Sequence, residues 1–211
     1  QATHILVSAG PDEDGDPVGS KDTSLEGRLL VTRLCPPDAQ RPSFHVNCYM
    51  PVVGDEISWS KVAQAIRNVI NTAREQGGMA VLCGDFNASL HPDKRKGYSM
   101  SQPGMSAVAK RDARFKLWAQ RAGVTPAAHY NSKQVQGCTW TRLDQSQQAV
   151  LDYCLHSPEC GPVIGQLKRV KRDPGMDHRM IVSTFSAKLF GTTCPSRAPT
   201  HRRPRVQWKN L

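Results

Sequence analysis

The sequence predicts an α+β fold with a mainly antiparallel sheet and helices packed outside it. Two observations carry this prediction. Segments with strand-like and helix-like patterns follow one another in the order β-β-α-β-α-β-β-β-β. The four strand-like segments that close the pattern have no helix between them, which favours antiparallel pairing of neighbouring strands.

Three segments predict the first part of the sheet. Residues 27–34 (GRLLVTRL) and 43–50 (SFHVNCYM) are rich in β-branched and aromatic residues. The Pro-Pro-Asp sequence between them is typical of a turn, so we expect an antiparallel hairpin. Residues 79–84 (MAVLCG) are apolar and predict a buried strand.

Two segments have helical periodicity. From residue 58 onward, apolar side chains recur every three or four positions, which predicts a helix capped by Ser58 and ended by Gly77 and Gly78. Residues 106–122 predict a second helix that ends at Gly123. The remaining strand-like segments are residues 137–142, 148–155, 162–170 and 180–185.

The composition is that of a globular protein. The chain has 211 residues, of which 38% are hydrophobic and 22% charged, enough for one domain with a buried core. No apolar run approaches the roughly 20 residues that cross a bilayer, so we expect no membrane span. There is no secretory signal pattern, and because the sequence starts with Gln1 we expect a processed chain or a fragment.

The charge is strongly basic and uneven. Lys and Arg number 28 against 18 Asp and Glu, and the net charge of +10 favours an anionic partner such as nucleic acid. Residues 186–211 contain basic residues and prolines but no acidic residue. We therefore predict a domain of residues 1–187 followed by a basic tail or linker of residues 188–211. A second basic run spans residues 167–172, and solvated surface explains both basic regions equally well.

Seven cysteines are present, and none of them forms a CxxC pair. Several lie in apolar runs, as Cys48 and Cys83 do, which favours small buried side chains over a zinc site or a disulfide framework. Free thiols favour a reducing, intracellular location, with the nucleus as one option.

Polar residues follow directly after the strand predicted at 79–84. Residues two positions apart in an extended chain point to the same side, so we expect Asp85 and Asn87 to project together while Phe86 turns into the core. A carboxylate beside an amide suits a base or ligand next to a group that orients water or phosphate. The same residue types are also common in a turn that ends a strand.

Two further segments carry acidic residues. Asp152 lies between apolar residues in the predicted strand 148–155, where it needs a buried partner or an exposed face, and orienting a histidine is one such role. His178 suits contact with a phosphate, and Asp177 suits binding of a metal or of water. An isolated Asp-His pair in a loop is, however, more often a surface feature than a site.

In this order the segments resemble the endonuclease/exonuclease/phosphatase superfamily, which includes abasic-site endonucleases, inositol polyphosphate 5-phosphatases and LINE-type retrotransposon endonucleases. The resemblance covers roughly residues 2–187. It rests on Gly84-Asp85-Phe86-Asn87, on Thr139-Trp140 with Leu151-Asp152-Tyr153, on Asp177-His178, and on a strand ending in Tyr-x-Pro at residues 49–51.

The resemblance implies a four-layered α/β sandwich of two mainly antiparallel sheets flanked by helices, with the active site at the sheet ends. By position, it implies that Asp85 activates the attacking water and that Asn87 positions the water and the phosphate. It further implies that His178 contacts the scissile phosphate, that Asp152 orients the His178 ring, and that Tyr49 hydrogen-bonds a phosphate oxygen.

A divalent metal ion, Mg²⁺ or Mn²⁺, is also implied, with Asp177 and Asp85 as its ligands. The implied reaction is in-line hydrolysis of a phosphodiester. The first strands of the superfamily, which carry an Asn and a metal-binding Glu, are not recognisable here, so we expect the N-terminal part of the domain to be missing. Val52 stands where abasic-site nucleases usually carry Asn, which weakens assignment to that subgroup.

The end of the sequence is the best guide to the substrate. The basic, Pro-rich segment ending in Arg205-Val206-Gln207-Trp208 resembles the linker that precedes the reverse transcriptase in LINE-type polyproteins. This implies a DNA endonuclease that nicks one strand, contacts mainly the DNA backbone, and is fused to a reverse transcriptase. Lys94, Arg95 and Lys96 are candidate DNA contacts, or else belong to a solvated loop.

Two alternatives stay open. One is a phosphatase or phosphodiesterase of the same fold that acts on an inositol phosphate or a lipid headgroup. The other is a truncated remnant that binds nucleic acid without hydrolysing it, since the expected Glu is not found.

Overall fold

The computed structural model describes only part of the chain, namely residues 2–5, 27–35, 41–99, 101, 103–127, 138–161, 164–167, 177–178 and 181–185. The helices in these ranges are α1 (Glu56–Glu75) and α2 (Met105–Ala122). The strands are β1 (Ala2–Ile5), β2 (Leu29–Leu34), β3 (Ser43–Tyr49), β4 (Met79–Asp85), β5 (Thr125–Pro126), β6 (Trp140–Thr141), β7 (Gln148–Ala149), β8 (Asp152–His156), β9 (Ile164–Leu167) and β10 (Ile181–Thr184). The basic tail at 188–211 and most of the basic run at 167–172 lie outside the described residues.

The described strands form a main sheet in the order β1-β2-β3-β4-β8-β5, and two smaller sheets, β6–β7 and β9–β10. Within the main sheet, β3 and β4 are parallel and the other neighbouring strands are antiparallel. The parallel pair follows from the chain connection, because α1 crosses over the sheet between β3 and β4. The predicted α+β class with a mainly antiparallel sheet is confirmed, as is the hairpin of β2 and β3.

The helices cover one face of the main sheet, and β10 lies over the other. Phe86, which follows β4, stacks on Phe115 of α2 with ring centroids 4.8 Å apart. On the opposite face, Val81 and Cys83 line a cavity of about 980 Å³ that is also lined by Ile181 of β10. The described residues therefore form a layered α+β sandwich of helices, main sheet and β10.

The helix ends test the capping predictions. The N-cap of α1 is Asp55, whose side chain accepts a hydrogen bond from the backbone N–H of Ser58 at 3.1 Å, so the prediction of Ser58 as the cap is wrong. With Asp55 as the cap, the helix begins three residues earlier than predicted. The side chain of Asp55 then satisfies the N–H of Ser58, which would lie before the first turn of the predicted helix. The predicted ends are confirmed, since α1 stops just before Gly77 and α2 is closed by Gly123 in a left-handed conformation. Neither described helix is apolar enough over its length to span a membrane.

The strand predicted at 148–155 is two strands that belong to different sheets, β7 and β8. The chain leaves one ladder and enters the next at Leu151. There the hydroxyl of Thr139 accepts hydrogen bonds from the N–H groups of Leu151 at 2.9 Å and of Asp152 at 3.0 Å. A side chain thus replaces a strand partner, and Asp152 becomes the first residue of β8 rather than an interior one.

Candidate active site

One edge of the main sheet collects the polar residues that the sequence singles out. The end of β3 lies beside the end of β4, and the register places Tyr49 next to Asp85. The start of β8 lies on the other side of β4, where Asp152 is opposite Asp85. A cleft of about 440 Å³ opens at this edge and is lined by Tyr49, Asp85, Asn87, Asp177 and His178.

Asp85 and Asn87 form a turn rather than a continued strand. The backbone of Asn87 is left-handed, with φ of 48°, a conformation that Asn tolerates better than most residues. Its N–H donates to Oδ1 of Asp85 at 2.8 Å, and its Nδ2 donates to the carbonyl of Met50 at 2.7 Å. The expected extended segment is therefore wrong, although both side chains line the cleft and Phe86 is fully buried.

The environment of Asp85 disfavours its negative charge. Burial, followed by the charges of Asp152 and Asp177, raises the pKa of this carboxyl to about 6. The N–H of Asn87 and the charge of His178 act in the opposite direction. A carboxylate in this position holds a proton more readily than usual and gains from a nearby cation.

Asp152 and His178 form the most direct side-chain pair of the cleft. Nδ1 of His178 lies 3.0 Å from Oδ2 and 3.1 Å from Oδ1 of Asp152. This hydrogen bond is the main reason that the pKa of His178 is raised, and the charges of Asp85 and Asp177 add to it. Because Nδ1 is bonded to the carboxylate, Nε2 is the ring nitrogen that can reach a ligand. The expected histidine partner of Asp152 is present.

The Thr139-Trp140 segment holds two of the acidic residues. The indole Nε1 of Trp140 donates to Oδ2 of Asp177 at 3.1 Å, and Trp140 also forms an isolated β-bridge with His178. Thr139, which is completely buried, holds the backbone of Asp152 as described above. Sequence reasoning identifies Thr139-Trp140 only as part of a motif, and the hydrogen bonds show how it fixes the positions of its neighbours.

The loop after β4 adds a cation that is held by a buried acid. Arg95 and Tyr98 line the cleft, and Nε and Nη2 of Arg95 each lie 2.7 Å from a carboxylate oxygen of Asp112. Asp112 lies on α2 and is only 3% exposed. Sequence reasoning missed this residue, because an Asp in the buried face of a helix does not reveal its partner. Arg95 was one of three candidate DNA contacts in this loop. Another of them, Lys96, is exposed.

The donors of the cleft fit a metal ion that shares its coordination with a substrate. The described residues contain no group of three or more His, Cys, Asp or Glu side chains able to hold a metal. Mg²⁺ at phosphate sites commonly takes only one or two carboxylates and completes its shell with water and phosphate oxygens. Asp85 and Asp177 both line the cleft, and a cation would relieve the repulsion that raises the pKa of Asp85.

Comparison with solved structures identifies the fold. No protein-family model and no curated protein matches the sequence. Similar structures include an AP endonuclease, LMAP, from Leishmania major, with a TM-score of 0.56 and 18% identity over 85% of this chain and 60% of LMAP. They also include the 3′ phosphatase NExo from Neisseria bound to a product DNA hairpin, with a TM-score of 0.53 and 15% identity over 75% of this chain and 65% of NExo.

An AP endonuclease from Archaeoglobus fulgidus has a TM-score of 0.53 and 17% identity over 87% of this chain and 71% of its own. This chain therefore spans 60% of the length of LMAP and 65% of that of NExo. The fold is that of these AP endonucleases and of NExo, as the resemblance implied.

Proposed function

We propose that this chain, which has the fold of AP endonucleases and of a 3′ phosphatase, is a metal-dependent hydrolase that cleaves phosphodiester bonds of DNA. The observation that carries the proposal is the cleft itself. A partly buried carboxylate with a raised pKa, Asp85, lies beside a histidine whose Nδ1 is bonded to Asp152. This arrangement pairs a proton acceptor with a cationic hydrogen-bond donor, which are the two groups that hydrolysis of a phosphate ester needs.

The proposed roles follow from the hydrogen bonds. Asp85 accepts a proton from the attacking water, because its Oδ2 is not the oxygen bonded to the N–H of Asn87. Asn87 orients the water through its amide oxygen, since its Nδ2 is bonded to Met50. His178 donates from Nε2 to a phosphate oxygen, and Asp152 keeps Nδ1 protonated and the ring in place.

We propose that Asp177 and Asp85 bind Mg²⁺ or Mn²⁺ together with the substrate. Such an ion neutralises the phosphate and stabilises the leaving oxygen when bound. Asp177 is suited to this role because Trp140 fixes one of its oxygens and leaves the other for the cleft. The proposed contribution of Tyr49 is a hydrogen bond from its phenol, which is 47% exposed, to a phosphate oxygen.

DNA is the proposed substrate, and nicking of one strand in the manner of retrotransposon endonucleases is the proposed outcome. The net charge of +10 favours a polyanion, and NExo, one of the proteins of similar structure, was solved with a product DNA hairpin bound to it. The basic, Pro-rich segment at 188–211 supports a linker to a reverse transcriptase, and an intracellular, nuclear location follows from that role.

The test is a panel of substrates incubated with the purified chain and Mg²⁺. We expect conversion of supercoiled plasmid to nicked circles, and complete loss of this conversion when EDTA removes the metal. Weakening of DNA binding as salt rises is also expected, because backbone contacts release counterions. Binding of DNA without any nicking, at any metal concentration, would support the non-catalytic remnant instead.

A second candidate is removal of a 3′ phosphate from DNA, because one of the similar structures is a 3′ phosphatase. The same panel includes an oligonucleotide with a 3′ phosphate, an oligonucleotide with an abasic site, and a soluble inositol phosphate. Release of phosphate from the 3′ end with intact plasmid would favour this candidate. Turnover of the inositol phosphate alone would favour a small-molecule or headgroup phosphatase.

A further inference from the structure

Two cysteines lie directly opposite each other in the main sheet. Cys83 of β4 pairs in register with Cys154 of β8, and these strands are antiparallel. Farther along the same ladder, the N–H of Phe86 donates to the carbonyl of Leu151 at 2.9 Å, which marks a hydrogen-bonded pair. Hydrogen-bonded and non-hydrogen-bonded pairs alternate along an antiparallel ladder. Cys83 and Cys154 lie three positions from the pair of Phe86 and Leu151, so they are a non-hydrogen-bonded pair. In such pairs the side chains approach each other more closely.

The spacing of such a pair suits a covalent bond. Cα atoms of non-hydrogen-bonded partners lie about 4.5 Å apart, and disulfides span Cα separations of about 4.4 to 6.8 Å. Neither cysteine is part of a disulfide in this structure. We propose that Cys83 and Cys154 are an oxidation site, at which a peroxide converts the two thiols into a reversible cross-strand disulfide.

The surroundings of the pair give an oxidant access from one side. Both cysteines line the cavity of about 980 Å³ on the face of the sheet away from the helices. Cys83 is partly exposed, whereas Cys154 is 2% exposed, so the cavity side of Cys83 is where an oxidant enters. Cys48 also lines this cavity, but it pairs in register with Gly84, so its side chain has the opposite direction in the sheet to that of Cys83.

The chemistry balances with hydrogen peroxide as the oxidant. One of the two sulfurs attacks a peroxide oxygen, the O–O bond breaks, and a sulfenic acid and water result. The other sulfur then attacks the sulfur of the sulfenic acid, the S–O bond breaks, and a second water leaves with the thiol proton. Two thiols lose two electrons and two protons in total. A dithiol reverses the bond by thiol–disulfide exchange.

The disulfide does not depend on the proposed hydrolysis, but it lies next to the cleft. Asp85 and Asp152 also pair in register, two residues farther along the same two strands. They lie on the same face of the sheet as Cys83 and Cys154. A disulfide between Cys83 and Cys154 therefore changes the distance between the carboxylates of Asp85 and Asp152. If the chain hydrolyses DNA, we expect oxidation to lower that activity and a dithiol to restore it.

Peptide mapping tests the proposal without reference to activity. The reduced chain is treated with hydrogen peroxide, free thiols are alkylated, and the chain is digested with trypsin. Residues 75–94 contain Cys83 as their only cysteine, and residues 143–168 contain Cys154 and Cys160. We expect these two peptides to be linked with the loss of two hydrogen atoms, fragmentation to place the link at Cys154, and dithiothreitol to release it.

Single-residue variants test which cysteines form the link. Cys83→Ser is expected to abolish the link, and Cys48→Ser, which also removes a buried thiol of the neighbouring strand, is expected to keep it. Circular dichroism checks that each variant folds, and the mapping of the unsubstituted chain stands even if a variant does not. The proposal is overturned if peroxide takes Cys83 to a sulfinic acid without any link, or links Cys154 only to Cys160.

Discussion

Asp85 of β4 and Asp152 of β8 are directly opposite each other in the register of these antiparallel strands, so the sheet places two carboxylates side by side. Like charges in such a pair repel. Burial first, and then the charge of Asp152, raise the pKa of Asp85 to about 6. His178 offsets part of this repulsion, because its Nδ1 lies 3.0 Å from Asp152. The cleft is therefore built around a carboxylate that its surroundings destabilise.

Replacing Asp85 by Asn is expected to stabilise the fold at neutral and alkaline pH. A free Asp has a pKa of about 3.9, so ionisation of the partly buried Asp85 begins to disfavour the folded state as the pH rises through that value and does so fully above about 6. The neutral amide avoids this cost and still accepts from the N–H of Asn87. We expect the free energy of unfolding to rise by on the order of 2 kcal/mol at pH 8 and to change little near pH 3.5.

Urea unfolding at the two pH values, with EDTA present, measures this difference. The matched control is Asp93→Asn, which removes an exposed carboxylate close in sequence. It should leave the pH dependence unchanged. A variant at Asp85 that is no more stable than the parent at pH 8 would contradict the account of its pKa.

Replacing Asp152 by Asn is expected to lower the pKa of His178. The hydrogen bond from Nδ1 to the Asp152 carboxylate is the largest cause of the raised pKa, and the neutral amide offers no charge to the imidazolium. The titration of the His178 ring protons by NMR measures the shift. Asp144→Asn is the control, because Asp144 is exposed and bonds to Ser146 rather than to the cleft. An unchanged His178 titration in Asp152→Asn would show that the pair is not formed in solution.

Thr139 is expected to matter for the stability of the fold. Its buried hydroxyl accepts from the N–H groups of Leu151 and Asp152, and valine would leave both donors without that acceptor. Thr139→Val should lower the free energy of unfolding by on the order of 2 kcal/mol. Thr139→Ser keeps the hydroxyl and should lose much less. Equal losses in the two variants would show that the methyl group, not the hydrogen bonds, stabilises this segment.

The pair of Arg95 and Asp112 should behave as a buried ion pair. Arg95→Met leaves the charge of Asp112 buried without its cation, which costs about 3 to 5 kcal/mol. Adding Asp112→Asn removes that charge and keeps an acceptor for the N–H of Ser89. We therefore expect the double variant to be more stable than Arg95→Met alone in thermal or urea unfolding. Additive losses would contradict the pairing.

Regular periodicity explains why the main elements are predictable from the sequence. The apolar positions of α1 recur at helical spacing, and its buried residues are those positions, from Trp59 to Ala73. Its first residue was missed because Asp55 and Ser58 are both good caps, and local sequence does not decide between them. The ends of α1 and α2 were found because glycines mark them.

The sequence predicts the site residues that lie next to strands, but it does not predict contacts between residues that are distant in the sequence. Asp85, Asp152 and His178 stand in short segments that the sequence already sets apart, and the fold brings them together. The division of 148–155 was missed because Val150 and Leu151 are apolar and continue the strand pattern. Their exit from the ladder depends on Thr139, a contact that no local pattern reveals.

The most direct test of the central proposal is the initial rate of plasmid nicking in Mg²⁺ for the parent chain and its cleft variants. Asp85→Asn and His178→Ala each remove a group with a proposed role in proton transfer or charge stabilisation, so each should lower the rate by about 10² to 10⁴-fold. Asp93→Asn should nick at the parent rate. Nicking by the parent that persists in both cleft variants would show that the activity does not arise from this cleft.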